Sequence, residues 1–213
     1  MEIQFTADGS HTLFLPEMNE HYHSVNGAVQ ESRHVYIEAG FKRCQKSSIH
    51  VLEIGFGTGL NALLTALEAG ERQVPTLYTA LEKYPLPLEI ANQLNYTELD
   101  AEIFRQIHIS EWETPVPITP FFTLQKIQTD FSAYTYPDCY DVVYYDAFAP
   151  DKQAGVWSQS LFDTIYKAMP SSGVMTTYCA KGHIRRMMQQ AGFAVERIPG
   201  PPGKREMLRA VRV

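Results

Sequence analysis

Cysteine is scarce in this 213-residue chain. Cys44, Cys139 and Cys179 lie far apart and form no CxxC pair, and their odd total fits neither a disulfide framework nor a zinc ribbon. No apolar run approaches the roughly 20 residues that a bilayer span needs, and Met1-Glu2-Ile3-Gln4 offers neither a basic nor an apolar targeting region. Membrane and secretory classes are therefore not expected, and a reducing, cytoplasmic compartment is. Internal repeats and low-complexity segments are absent too. The one proline-dense stretch, 114–120, is too short for a domain linker and is expected to mark an insertion before a core strand. What is present is ample core material: 45% of residues are hydrophobic and 20% charged, far from the low-hydropathy, high-charge composition of disordered chains. One domain is expected over 1–213, with an N-terminal extension at 1–47 and a catalytic core at 48–213.

The net charge of −6 argues against nucleic-acid binding as an average, but it hides an asymmetry. From Lys181 onward eight Lys/Arg face only Glu196 and Glu206, and the rest of the chain is strongly acidic. Clustered cations gain phosphate affinity by releasing counterions, whatever the charge elsewhere. A solvated basic helix and edge strand account for the same cluster equally well.

Two β-prone runs, Gln4-Phe5-Thr6 and Thr12-Leu13-Phe14, flank Asp8-Gly9 and predict a hairpin. A polar stretch from Asn19 to Asn26 follows, then a helix from Glu31 to Ala39 closed by Gly40. Beyond it the pattern alternates. Strands are predicted at Ile49–Ile54, Leu77–Leu81, Phe121–Gln128, Asp141–Tyr145 and Val174–Tyr178, and helices at Leu60–Ala69, Pro85–Asn95, Ser160–Met169 and His183–Ala191. Strands at Phe193–Arg197 and Glu206–Val211 close the chain. Such alternation implies an α/β fold with a mostly parallel, doubly wound Rossmann-like sheet, whose helix-free last strand can enter antiparallel.

Gly55-Phe56-Gly57-Thr58-Gly59 follows the first core strand, at the strand end where open α/β sheets bind ligands. Leu60 stands where a dinucleotide fingerprint would place its third glycine, which weakens the case for a diphosphate cofactor and for a nicotinamide dehydrogenase. The spacing matches instead the first motif of class I S-adenosylmethionine (SAM) methyltransferases. Glu82 ends the second strand, where an acid accepts hydrogen bonds from ribose hydroxyls, and Asp130 ends the third. Each acid alone serves equally well as a helix N-cap or a solvated strand end; three acids, with Glu53, at successive strand ends are harder to dismiss.

Asp146 in Tyr144-Tyr145-Asp146-Ala147-Phe148-Ala149-Pro150 follows the fourth strand and is expected to face the same crevice. A primary amine with a pKa near ~10.4 is mostly protonated at neutral pH and has no lone pair for attack. A carboxylate there orients the nitrogen and takes or relays its proton. Phe148 either stacks on a planar base or packs in the core, Pro150 fixes the direction of the loop, and one of Tyr144 and Tyr145 is expected nearer the ligand. His21, His23 and His34 show no metal-ligand spacing, so a surface or lid role is expected for them, with the Asn19–Asn26 loop closing over the cofactor.

Gly55 to Asn61, Glu82-Lys83-Tyr84-Pro85-Leu86, Asp146 to Lys152, Trp157 to Phe162 and Gly203-Lys204-Arg205-Glu206-Met207-Leu208 together resemble the methyltransferase domain of the MnmC family of tRNA wobble-uridine enzymes. The resemblance runs from Tyr22-His23-Ser24 and Glu31 to the last strand. It implies SAM-dependent N-methylation of 5-aminomethyl-(2-thio)uridine in the tRNA anticodon stem-loop. It also implies a cofactor side formed by Glu53, Gly55, Phe56, Gly57, Thr58, Gly59, Asn61, Glu82, Lys83, Asp130, Phe131 and Asp146, with Asp146 also the catalytic residue. Phe148 and Pro150 then lie on the acceptor side, and Lys181, Arg185, Arg186, Lys204 and Arg205 are expected at anticodon-stem phosphates. A fused flavin-dependent oxidase has no room in 213 residues, so a stand-alone enzyme is expected, with a separate FAD-dependent oxidase as a partner. The alternatives are a SAM enzyme of this fold acting on a small-molecule amine and a SAM-binding scaffold without turnover.

Overall fold

The computed structural model describes residues 1–137 and 140–213. Cys139 lies outside the described residues, while Cys44 and Cys179 are buried free thiols. The chain opens with an antiparallel sheet of β1 (Glu2–Phe5), β2 (His11–Leu15) and the short β3 (Glu20–His21). The predicted hairpin is there: Asp8 accepts from the Ser10 amide, and Gly9 takes φ 84°. Helix α1 (Ala28–Ser32) runs directly into a π-helical turn, Arg33–Glu38, which places Val35, Tyr36 and Ile37 in the core. The helix expected from Glu31 thus starts three residues earlier.

An eight-stranded sheet follows, in the order β10-β11-β9-β8-β4-β5-β7-β6. Its strands are β4 (Ile49–Ile54), β5 (Thr76–Glu82), β6 (Val116–Thr119), β7 (Phe122–Gln128), β8 (Val142–Tyr145), β9 (Val174–Thr177), β10 (Phe193–Pro199) and β11 (Glu206–Arg212). The run β9-β8-β4-β5-β7 is parallel. β11 enters antiparallel between β9 and β10, as the helix-free C-terminus predicts. Alternate residues of β4 serve two cores, as a parallel strand covered on both faces must. Ile49 and Val51 pack with α2 (Leu60–Arg72) and α4 (Thr97–Ile109), while Leu52 and Ile54 pack with α5 (Gln159–Lys167) and α6 (Gly182–Ala191).

Three expectations are corrected. The segment Pro85–Asn95 holds only a single turn, α3 (Leu88–Ala91), and the long helix is α4. Pro85 and Pro87 lack amide donors and bias the residues before them away from helix, so a long helix forms only beyond them, where Phe104 and Ile107 bury a face. The proline-dense stretch is no insertion; it forms edge strand β6, antiparallel to β7, where proline's missing donor is tolerated. Tyr144 and Tyr145 are both fully buried, on opposite faces of β8, so neither lines a ligand crevice.

Candidate functional site

β4 is flanked by β5 on one side and β8 on the other, so the direction of strand addition reverses at β4, and the crevice beyond the carboxyl ends is the natural ligand site. A cleft of about 860 Å³ opens there. Backbone bonds fix its floor: the Gly55 and Phe56 amides donate to the Leu81 carbonyl, and the Asp146 amide donates to the Ile54 carbonyl. Gly55, at φ 92°, has no room for a side chain, since a Cβ would lie 2.7 Å from the Asp146 carbonyl oxygen. Gly57, at φ 50°, faces Tyr22, and a Cβ there would crowd the ring at 3.1 Å. Both positions therefore require glycine for conformation and for space.

Phe56, Thr58, Glu82, Lys83, Asp130, Phe131, Asp146, Phe148 and Lys204 line the cleft together with Gly55 and Gly57. Glu53, Gly59 and Asn61 do not; they stand behind the loop. Glu53 is fully buried at the end of β4, and Gly59 caps α2 at φ 74°. Asn61 bridges the two carboxylates, its Nδ2 donating to Glu53 Oε1 at 2.9 Å and to Asp146 Oδ2 at 2.7 Å. Glu53 Oε2 and Asn61 Oδ1 are buried without a hydrogen-bond partner.

Burial governs the electrostatics. It holds the Glu53 carboxyl well above the usual range, and the nearby charges of Asp146 and Glu82 add to that. Burial also pushes Asp146 up from 3.8 to about 7, aided by the charge of Glu31 and opposed by the Tyr36 hydroxyl, the Asn61 amide and the Lys204 ammonium. Glu82, raised by burial, accepts from the Gly57 amide at 3.0 Å and the Tyr84 amide at 2.8 Å. Asp130 behaves oppositely: Lys83 at 2.7 Å and Ser132 hold its carboxyl far below the usual range at the exposed mouth.

Further residues complete the walls. Glu20 to Val25, within the Asn19–Asn26 stretch, line the cleft. Tyr22 meets Phe148 edge-on at 5.0 Å between ring centroids, so Phe148 belongs to the cleft wall. His23 Nε2 lies 2.6 Å from Thr58 Oγ1, and His108 Nε2 lies 3.1 Å from the Thr58 carbonyl oxygen. Burial drops each imidazole to about 4, so both brace the glycine loop as neutral rings. Tyr22-His23-Ser24 and Glu31 belong to the resemblance quoted above, which was the available signal; His108 and Tyr178 had none.

The basic residues divide. Pro150, Lys181, Lys204 and Arg205 line a neighbouring open cleft of about 430 Å³ that shares Ala149, Tyr178 and Lys204 with the first. Arg185 and Arg186 on α6 line neither cleft. Lys181 pairs with Asp151 and Lys204 with Glu31, whereas Arg205 is 92% exposed. Among the described residues no group of three or more His, Cys, Asp or Glu side chains is placed to hold a metal, and no helix is long and apolar enough to cross a membrane.

Residues 122–213 match a family model described as S-adenosyl-L-methionine-dependent methyltransferase. Over 97% of its length the chain is similar, at 28% identity, to the tRNA 5-methylaminomethyl-2-thiouridine biosynthesis bifunctional protein MnmC of Burkholderia multivorans and to that of Burkholderia mallei. It spans 34% of the length of each, about a third. Among solved structures, MnmC2 from Aquifex aeolicus superposes with a TM-score of 0.77 at 24% identity, over 99% of this chain and 70% of that one. Spermidine synthase from Thermotoga maritima superposes at 0.60 and 12% identity, over 99% and 72%. The two superpositions establish the shared fold.

Proposed function

We propose that this chain, an MnmC-like S-adenosyl-L-methionine-dependent methyltransferase domain, N-methylates the aminomethyl group of 5-aminomethyl-(2-thio)uridine at the tRNA wobble position, giving the 5-methylaminomethyl product. The observation that carries this reading is Asp146, a half-buried carboxylate at the rim of a nucleoside-sized cleft, beside the glycine loop.

The residues present fit SAM. The glycine loop has positive φ angles, and a Cβ at Gly55 would clash with the Asp146 carbonyl while one at Gly57 would crowd Tyr22, so its backbone stays bare toward a ligand. The buried, unpartnered Glu53 Oε2 and Asn61 Oδ1 are acceptors suited to an ammonium group. Glu82 at the end of β5 suits ribose hydroxyls, with Phe56, Thr58, Lys83, Asp130 and Phe131 around the remaining wall. When bound, SAM supplies a methyl group on a positively charged sulfur.

The chain's own work is to align the acceptor and manage its proton. Alignment is what an in-line displacement chiefly requires, and Phe148 and Tyr22 provide an aromatic wall for a uracil ring. Asp146 accepts a hydrogen bond from the incoming amine, and its carboxyl at about 7 is well matched to receive the proton. Against an ammonium near ~10.4, a carboxyl at its ordinary value leaves a gap of about six and a half pH units. The burial of Asp146 reduces that to about three, or from ~9 to ~5 kcal/mol of unfavourable proton transfer. Pro150 holds the loop, and Lys181, Arg185, Arg186 and Arg205 contact anticodon-stem phosphates beside the cleft. A separate flavin-dependent oxidase supplies the free aminomethyl group.

The test is incubation with SAM and tRNA lacking this methyl group, followed by nucleoside mass spectrometry. One methyl gained on the wobble aminomethyluridine is expected. No gain, or a gain on another nucleoside, refutes the assignment.

A further inference from the structure

Lys204 has a different setting from the other basic residues of the C-terminal end. Its ammonium turns inward, pairs with Glu31 and lies 4.1 Å from the centroid of the Tyr178 ring. Only about a third of its side chain and under a tenth of that of Glu31 remain exposed. The second oxygen of Glu31 accepts from the Ser24 amide at 2.8 Å. A phosphate ligand would have to pull Lys204 out of this pair and leave a buried carboxylate without a counter-charge, which is costly.

The surrounding backbone is built to hold the pair. The loop between β10 and β11 docks on the N-terminal helix through the His34 imidazole, 2.8 Å from the Pro199 carbonyl oxygen. Gly203, at φ 83°, lies so close to Asn26 that a Cβ would come within 2.1 Å of its Nδ2. The positive φ favours glycine there, and a Cβ would have to push the exposed Asn26 side chain aside; the next residue is Lys204. On the far side, the Tyr178 hydroxyl donates to the Ala147 carbonyl at 2.9 Å, one residue beyond Asp146. Glu31, Lys204 and Tyr178 thus join α1, the β10–β11 loop and the end of β9 around the acceptor side of the cleft.

We propose that Glu31 and Lys204 are a positioning pair for Asp146: they clamp the β10–β11 loop onto α1 as the acceptor wall and set the charge that the reacting carboxylate experiences. The inference rests on the role assigned to Asp146 above. The groups facing Asp146 are Glu31 on α1, Tyr36 on the π-helical turn, Glu53 at the end of β4, Asn61 on α2, Tyr78 on β5, Tyr178 after β9 and Lys204. Of these, Lys204 alone is a cation, and Glu31 and Lys204 act on Asp146 with opposite sign. Removing one member therefore moves the titration of Asp146 in the direction opposite to removing the other, an outcome that a purely structural clamp does not produce.

The experiment follows the carboxyl carbon of Asp146 by NMR in protein labelled with 13C-aspartate, without cofactor or tRNA, the signal being assigned by its loss in Asp146→Asn. Glu31→Gln is expected to lower the midpoint by about one pH unit and Lys204→Met to raise it by about as much, the scale of a neighbouring unit charge. Lys204→Arg keeps the charge and should leave the midpoint in place, and Glu31→Gln/Lys204→Met should return it toward the native value. Should Lys204→Met fail to fold, the near-isosteric Glu31→Gln and the double variant still decide. Midpoints that stay fixed, or move the same way in both single variants, overturn the pair. Methyl transfer retained at the wild-type rate in Asp146→Asn instead overturns the role of Asp146, an outcome that the midpoints alone do not produce.

Discussion

Replacing Asp146 by Asn should make the protein more stable at pH 8 while it disables methyl transfer. The sign follows from proton linkage. In the unfolded chain an aspartate ionises around its ordinary value of 3.8, whereas the folded carboxyl is held at about 7. Between those values the unfolded state binds fewer protons than the folded one, so this residue makes stability fall as pH rises from 4 to 7, and the loss is complete above 7. At 1.36 kcal/mol per pH unit the rise corresponds to about 4 kcal/mol. Water reaching the half-buried carboxylate at the cleft rim reduces this to about 1–2 kcal/mol. Asn keeps an acceptor for the Asn61 amide and does not titrate, so the variant escapes the penalty. Urea unfolding of both proteins across pH 4 to 8 measures the difference. The advantage of Asp146→Asn should be small at pH 4 and reach a plateau above pH 7. Glu53 titrates in both proteins, and because the two carboxylates repel, relieving Glu53 adds to the gain in the same direction. A difference independent of pH, or one that shrinks toward pH 8, would refute the electrostatic account of the site.

Gly57→Ala should cost about 1–2 kcal/mol in thermal or urea unfolding, because φ is 50° and the new methyl would press on Tyr22 at 3.1 Å, and calorimetry should show weaker SAM binding. Thr58→Val removes the hydroxyl partner of His23 and leaves a buried ring nitrogen unsatisfied; denaturant unfolding should show a loss of about 1–3 kcal/mol. Arg205→Ala, at a side chain 92% exposed, should leave folding unchanged and reduce the slope of log affinity for tRNA against log salt by about one, as read by filter binding across a salt series.

The parts of the site legible in the sequence are those whose geometry is local. Ile49–Ile54 followed by Gly55, Gly57 and Gly59 encodes strand, tight loop and helix within a dozen residues, and acids at strand ends mark the same rim whatever the sheet order. Residues that act through distant partners carried no such pattern. His108 braces Thr58 from fifty residues away, and Glu31 meets Lys204 across 173 residues. Tyr144 and Tyr145 misled because alternation assigns faces of a strand, and here both faces are core. The missed helix α4 has its apolar positions at helical spacing, but a non-helical residue, Asp100, interrupts its first turn, and the prolines before it displaced its start.

The charge balance inside the cleft also bears on what the cleft binds. Asp146 and Glu31 line one side of it with Glu53 buried behind the glycine loop, and the cation among the groups facing Asp146 is Lys204, already paired with Glu31. Asn61 supplies one amide to Glu53 and Asp146 but cannot neutralise either. Burial raises both carboxyls, and the neighbouring negative charges add to it, so the neutral form of each is favoured beyond its ordinary range. A cation entering this side supplies the missing counter-charge, so it binds more strongly to the ionised pair than to the protonated one, and by linkage it lowers both pKa values and releases protons. A neutral or anionic group gains nothing there, and an anion meets repulsion as soon as either carboxyl ionises. Burial, aided by the charge of Glu31, raises Asp146 toward neutrality, and the negative charge on this side selects for positively charged groups, while the paired Lys204 limits how far Asp146 rises and keeps it able to ionise near neutral pH.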